Sequence, residues 1–328
     1  MCFNKMIPIT TLALTLLAVS LNMNAASLMQ EYDQAVQGFQ SGDYQNAAIH
    51  FKKVVQLDPS NAKAWFLLGQ SLSQTNDVEG ARRAFAEALK REPGGRVAAL
   101  INEKLDKLPG SIFRDCPTCP EMVVISAGSF EIGEPYKKRT VTLAKPFAIG
   151  KFEVTQAQWK AIMGTNPSAF SNCGNNCPVE NVSWNDIQQF IQKLYAKTGK
   201  QYRLPSEAEW EVACRGGEKY QYCGSDDVQN VAWYDEDHTH PVGQKQANAF
   251  GLYDMGGNVW EWVEDGWHKD YNGAPSDGTA WQGSDSRHVI RGGSWHFDQW
   301  IRDATDRDWN VPSFRYGTLG FRLAKTLP

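Results

Sequence analysis

The sequence predicts an α+β chain in two parts, an all-α repeat module followed by a module low in regular secondary structure. Three observations carry this. Residues 28–95 repeat at an offset of 34, so that Asp43, Ala47, Phe51 and Pro59 recur as Asp77, Ala81, Phe85 and Pro93. After "PGSIFRDCPTCP" (109–120) the texture changes to short β-like runs such as "MVVISAGSFEIG" and "RTVTLAKPFAIGKFEV". Three helix starts then follow, each marked by a capping box: Thr155 with Gln158, Ser183 with Asp186, and Ser206 with Glu209. Ser183 with Asp186 is the looser fit, since the usual partner is Glu or Gln.

Taken from the start, residues 1–26 read as an export signal. Lys5 supplies the positive segment, "IPITTLALTLLAVSL" the apolar one, and Ala25 or Ala26 the cleavage position. The apolar run is too short to span a bilayer comfortably. No membrane span is expected once it is removed, and the expected location is the periplasm or the exterior.

Residues 27–108 then read as two tetratricopeptide repeats and a capping helix. Trp65, Leu68, Gly69, Ala81, Phe85, Ala88 and Pro93 stand at the spacing of that repeat. Small residues such as Gly69 and Ala81 let antiparallel helices approach, and "RVAALINEKLDKLPG" covers the last apolar face. Such arrays offer a concave face to a peptide or protein, and that is the partner expected here; the plain alternative is a spacer or oligomerisation element. Residues 109–120 read as a linker, and 121–328 as the second domain.

Composition excludes some classes. A net charge of −4 with no long basic run gives no electrostatic footing for nucleic acid. Twelve Trp, most of them from Trp159 onward, and 28 Gly indicate loops held by aromatic packing. Beyond Cys2, six cysteines form three local pairs: Cys116 and Cys119, Cys173 and Cys177, Cys214 and Cys223. In an oxidising compartment such a set reads as three small-loop disulfides. A redox role for "CPTC" lacks a βαβ setting, and a shared zinc site is disfavoured by the gap between pairs.

"AGSFEIG", "FEVTQAQW", "PVENVSWNDI", "RLPSEAEWEVACRGG", "GLYDMGGNVWEW", "VIRGGSW" and "GFRLA" occur in that order over 121–325. This resembles the formylglycine-generating enzymes, also called sulfatase-modifying factors, and implies their elaborated C-type-lectin-like fold. The resemblance implies a structural Ca²⁺ at "DMGGNVWE", with carboxylates from Asp254 and Glu261 and carbonyls from Gly257 and Val259. Calcium takes about six to eight oxygen ligands, and adjacent glycines let carbonyls converge. The plain alternative is that Asp254 and Glu261 cap turns or pair with Arg. A second site, at Asn230 and Val231, is put in doubt by the divergent loop "YDEDHTHPVG".

The family's Cu(I) is held by two thiolates, because a soft ion takes soft sulfur. The matching positions here are Phe297 and Arg302, and no cysteine follows Cys223. No copper and no formylglycine chemistry are therefore expected. Three readings remain. One is an exported module that binds or matures an envelope protein, peptide or small molecule through loops carrying His296, Phe297, Asp298, Trp300, Arg302, Asp306, Arg307 and Arg315, with Arg and aromatics as anchors. In that reading Trp295 and Trp309 are assigned to the core, and Arg291 and Arg322 to internal ion pairs. The alternative is a divergent metal-dependent oxidoreductase on His238 and His240 with Asp235 or Asp237. The third, a retroelement-diversified protein, is disfavoured because Asn310 is the only Asn after Asn272.

Overall fold

The computed structural model describes residues 9–134, 136–283, 286–296 and 303–327, with side chains from residue 25 onward. The chain forms two compact units, Met1–Leu108 and Pro109–Pro328.

The first unit is a run of helices: α1 (Ile9–Ser41), α2 (Tyr44–Leu57), α3 (Ala62–Gln74), α4 (Val78–Arg91) and α5 (Gly95–Leu105). The sequence repeat is also a repeat of caps. Asp43 and Asp77 each accept from the backbone N–H three residues on, satisfying a donor that the first helical turn leaves free. Of the other repeated positions, Ala47, Phe51, Ala81 and Phe85 are fully buried, while Pro59 and Pro93 are exposed. Gly69 has a steric reason: a Cβ there would lie 2.7 Å from the Phe85 ring.

The second unit holds β1 (Ile112–Phe113), β2 (Met122–Ile125), β3 (Gly128–Ile132), β4 (Arg139–Leu143) and β5 (Phe147–Gly150). Helices α6 (Gln156–Met163), α7 (Trp184–Thr198), α8 (Glu207–Arg215) and α9 (Val228–Val231) follow. Then come β6 (Ala232–Trp233), β7 (Gly256–Gly257), β8 (Trp260–Gly266), β9 (His288–Arg291), β10 (Arg307–Asn310), β11 (Leu319–Gly320) and β12 (Ala324–Thr326). They assemble into two four-stranded sheets, β1-β2-β5-β12 and β10-β9-β8-β11, with two short pairs, β3-β4 and β6-β7. Most strands are short, as expected of the C-type-lectin-like fold.

All three capping boxes form, including the Ser183–Asp186 one, where the aspartate reaches back to the Ser183 N–H. Each of these helices ends on a glycine with left-handed φ: Gly164, Gly199 and Gly216. Within 109–120, Ile112 and Phe113 pair antiparallel with Val123 and Met122 and form the edge strand of a sheet. Trp260 and Trp262 enter the core beside Trp159, Phe190 and Phe321.

Candidate functional site

The three cysteine pairs are disulfides: Cys116–Cys119, Cys173–Cys177 and Cys214–Cys223. A disulfide sulfur carries no thiolate charge, so none of these six can serve a Cu(I) ion as it stands.

The glycine-rich corner before β8 does converge oxygens on a cation, and that cation is a guanidinium. Arg322 is fully buried. Its Nε donates to Glu261 Oε1 and Oε2 at 2.9 and 2.7 Å, and its Nη2 to Oε1 at 2.7 Å. It also donates to the carbonyls of Gly150, Tyr253 and Asp254, each at 3.0 Å. Trp210 Nε1 donates to Glu261 Oε2 at 2.8 Å. The corner can bend this tightly because Gly257 adopts φ +75° against Trp233, where a Cβ would lie 2.1 Å from the Trp233 carbonyl oxygen.

Sequence reasoning missed Glu153. It is buried beside Asp254 and Glu261, and burial together with those two carboxylates holds it well above the ordinary carboxylate range. Its oxygens accept from Asn258 Nδ2 at 2.8 Å and Val259 N at 3.1 Å. The available signal was an acid between Phe152 and Val154. Asn258 is a hub: its Oδ1 accepts from His240 N, its backbone O from Trp295 N, and its own N–H donates to Trp233 O. Asp254 Oδ2 accepts from Gly243 N at 2.7 Å, whereas Oδ1 is buried without a partner. Burial pushes this carboxyl up to about 6.

The calcium set is thus divided. Asp254 has a free, buried oxygen suited to a hard cation, with the Glu153 carboxyl beside it. The two oxygens of Glu261 already accept from Arg322 and Trp210, which use most of the roughly four lone-pair sites of a carboxylate. For Glu261 the arginine pair, the plain alternative, is what forms.

The proposed ligand loops also divide. Phe297, Asp298, Trp300 and Arg302 lie outside the described residues. His296 is exposed and sits edge-on to Trp295, its ring centroid 5.0 Å away. Arg307 turns inward: its Nε and Nη2 pair with Glu207, both at 2.7 Å, and it lies over Trp267 and Tyr271. There it supplies the charge that the buried Glu207 carboxylate needs. The Asp306 carbonyl accepts from Arg291, so its backbone serves the core as well. Arg315 stays on the surface and grips Asp186 with two 2.7 Å bonds, tying its loop to the start of α7. Trp295 is core as expected, but Trp309 is 37% exposed, with Val311, Phe314 and Tyr316 also exposed along the same loop. Arg291 and Arg322 do form internal ion pairs, the former with Glu211 at 2.8 Å.

In the loop after β6, His240 stacks on Trp233 with centroids 3.9 Å apart, and Lys245 lies over the same ring at 4.1 Å. His238 pairs with Asp237, and its ring is 4.7 Å from that of His240. Asp235 is not brought into a metal-binding group with them. Among the described residues no group of three His, Cys, Asp or Glu is placed to hold a metal ion, and no helix is long and apolar enough to cross a membrane.

With this geometry in hand, the relatives are informative. The sulfatase-modifying factor enzyme 1-like domain matches residues 109–327, and the tetratricopeptide repeat matches 38–103. A chaperone protein, LppX, of Paenibacillus barcinonensis is 35% identical over 45% of this chain and 72% of its own. The mouse formylglycine-generating enzyme is 32% identical over 52% of this chain, which spans 50% of that enzyme's length. Among solved structures, PvdO from Pseudomonas aeruginosa superposes with TM-score 0.61 at 35% identity, covering 67% of this chain and 100% of PvdO. Treponema denticola variable protein 1 gives 0.60 at 30% identity, over 66% and 98%. The chain belongs to the sulfatase-modifying factor enzyme 1-like family, with tetratricopeptide repeats ahead of the family domain.

Proposed function

We propose that this protein is an exported module that binds or matures an envelope protein, peptide or small molecule, and that it does not carry out copper-dependent formylglycine formation. The observation that carries this is the state of the sulfurs. The six cysteines beyond Cys2 are in disulfides, and none lies where the family places its thiolate pair. Three disulfides also favour an oxidising compartment, in keeping with the apolar N-terminal segment. The name of the LppX relative, a chaperone protein, points toward service to another polypeptide.

Two surfaces support binding. In the repeat unit a cleft of about 250 Å³ is lined by Val55, Trp65, Leu68, Leu72 and Arg83, an apolar floor with a cationic edge suited to an extended peptide. In the family domain the exposed aromatics of 309–316 offer stacking area. For the oxidoreductase alternative, the two imidazoles and their carboxylate neighbours Asp237 and Glu236 do not form a group of three placed to hold a metal ion among the described residues. We also assign the structural Ca²⁺ to the Asp254 side of the corner, where it would offset buried carboxylate charge. Calcium is then expected to raise the melting temperature of wild type and to have no effect on Asp254→Ala.

The function is tested with a cysteine-containing sulfatase-type peptide, Cu(I) and O₂, read by mass spectrometry, alongside photo-crosslinkers placed at Trp65 and Tyr316 in cells. No aldehyde and a crosslinked envelope partner are expected. Aldehyde formation, or no partner from either position, contradicts the proposal.

A further inference from the structure

We infer that Cys173–Cys177 is an exchangeable disulfide that oxidises a dithiol in a partner molecule, with His238 as the base. This goes beyond the binding reading and does not depend on it.

Three features meet at one place. A cleft of about 390 Å³ is lined by Phe170, Asn172, Cys173, Asp237 and His238. The disulfide is asymmetric toward it: Cys173 is half-buried, whereas Cys177 is fully buried. An incoming thiolate therefore has one sulfur to attack and one to displace. His238 faces the same cleft with its Nδ1 paired to Asp237. That pairing places the Nδ1 proton toward the carboxylate and leaves Nε2 with a lone pair, the tautomer a base needs. The loop is fixed against the disulfide, since Cys173 Sγ lies 3.1 Å from Thr239 O and Val242 N donates to Asn176 O at 3.0 Å.

The other disulfides lack this combination. Cys214 and Cys223 are both buried. Cys116 is half-buried, but the polar side chain at its sulfur is the Thr118 hydroxyl, which does not accept a thiol proton at neutral pH.

The chemistry balances without another oxidant. A thiol in the cleft gives its proton to His238 Nε2, and the thiolate attacks Cys173 Sγ. The S–S bond breaks, its electron pair leaves on Cys177, and that sulfur takes up the proton. The partner's second thiol then loses its proton and attacks the partner sulfur of the mixed disulfide, releasing Cys173, which takes up that proton. The partner is oxidised by two electrons and gains one disulfide; the Cys173–Cys177 pair is reduced to two thiols.

The test uses the full chain, dithiothreitol as the probe dithiol at pH 7, acid quenching, alkylation and peptide mapping of each pair over time. Cys173–Cys177 is expected to open at least about tenfold faster than Cys116–Cys119. His238→Ala is expected to slow that pair alone by about tenfold or more at pH 7, with the deficit shrinking near pH 9, where the probe ionises unaided. Cys177→Ser is expected to take up glutathione from its disulfide at Cys173. Equal or faster opening of Cys116–Cys119 overturns the site, and an unchanged rate in His238→Ala overturns the base. His238 is half-exposed, and its variant folds if its melting temperature matches wild type.

Discussion

The two units solve the same problem with opposite materials. In the repeat unit Ser71 is the only buried polar side chain among the described residues, and the core is Ala, Leu, Val, Ile101 and one Phe per repeat. In the family domain Glu153, Glu207, Glu211, Asp254, Glu261, Asp265, Arg291 and Arg322 are all buried. The difference follows from secondary structure. Helices satisfy their own backbone groups, so their seams can be apolar. A fold of short strands and loops buries carbonyls and amides that need other partners. Arg322 serves three such carbonyls besides its carboxylate, and Asp265 accepts from Glu207 N and Trp281 N.

The strongest way to break this contrast is Arg322→Met. It leaves Glu261 buried without its charge and is expected to cost about 3–5 kcal/mol. In urea titration the loss should appear in tryptophan fluorescence, since only Trp65 lies outside the family domain, while the far-ultraviolet helix signal of the repeats persists. Gly69→Ala probes the other material. Its methyl meets the Phe85 ring, and about 1–3 kcal/mol of overpacking is expected, with the helix signal melting first.

A pH titration sharpens the comparison. Burial, with the nearby Glu207 charge, pushes Asp265 up to about 7. A raised carboxyl pKa means the folded state holds the proton more tightly than the unfolded one. The protonated form therefore favours folding, and stability of the family domain falls as pH rises from about 4 to about 7, then levels. Denaturation midpoints at pH 5 and pH 8 are expected to show this drop in the tryptophan signal and not in the helix signal. Asp265→Asn should reduce the drop, leaving the part that comes from Asp254 and Glu153. Smaller still, Ser183→Ala removes the α7 capping box for about 1 kcal/mol. The exposed Arg315–Asp186 pair is expected to be worth less than that.

These materials also decided what was legible in the sequence. The repeat unit is periodic, so its helices, caps and core could be read from spacing alone. In the family domain the capping boxes were legible because they are local, and the cysteine pairs because they are near neighbours. The partners of Glu261 were not, because Arg322 and Trp210 stand 61 and 51 residues away. The place of Glu153 was not legible either, because Asn258, which donates to it, stands 105 residues on. The partner of Arg307 was out of reach for the same reason, since Glu207 is 100 residues away. Trp309 was misread in the opposite sense, as core, because composition cannot say which face of an edge strand meets solvent.

The most direct test of the central claim counts thiols and copper together on the purified chain. Alkylation under denaturing, non-reducing conditions and Cu(I) titration of the native protein are run on one preparation. The account predicts no free thiol among Cys116, Cys119, Cys173, Cys177, Cys214 and Cys223, and no stoichiometric Cu(I). Two free thiols per chain with one tightly held Cu(I) would contradict it and restore oxidase chemistry to this domain.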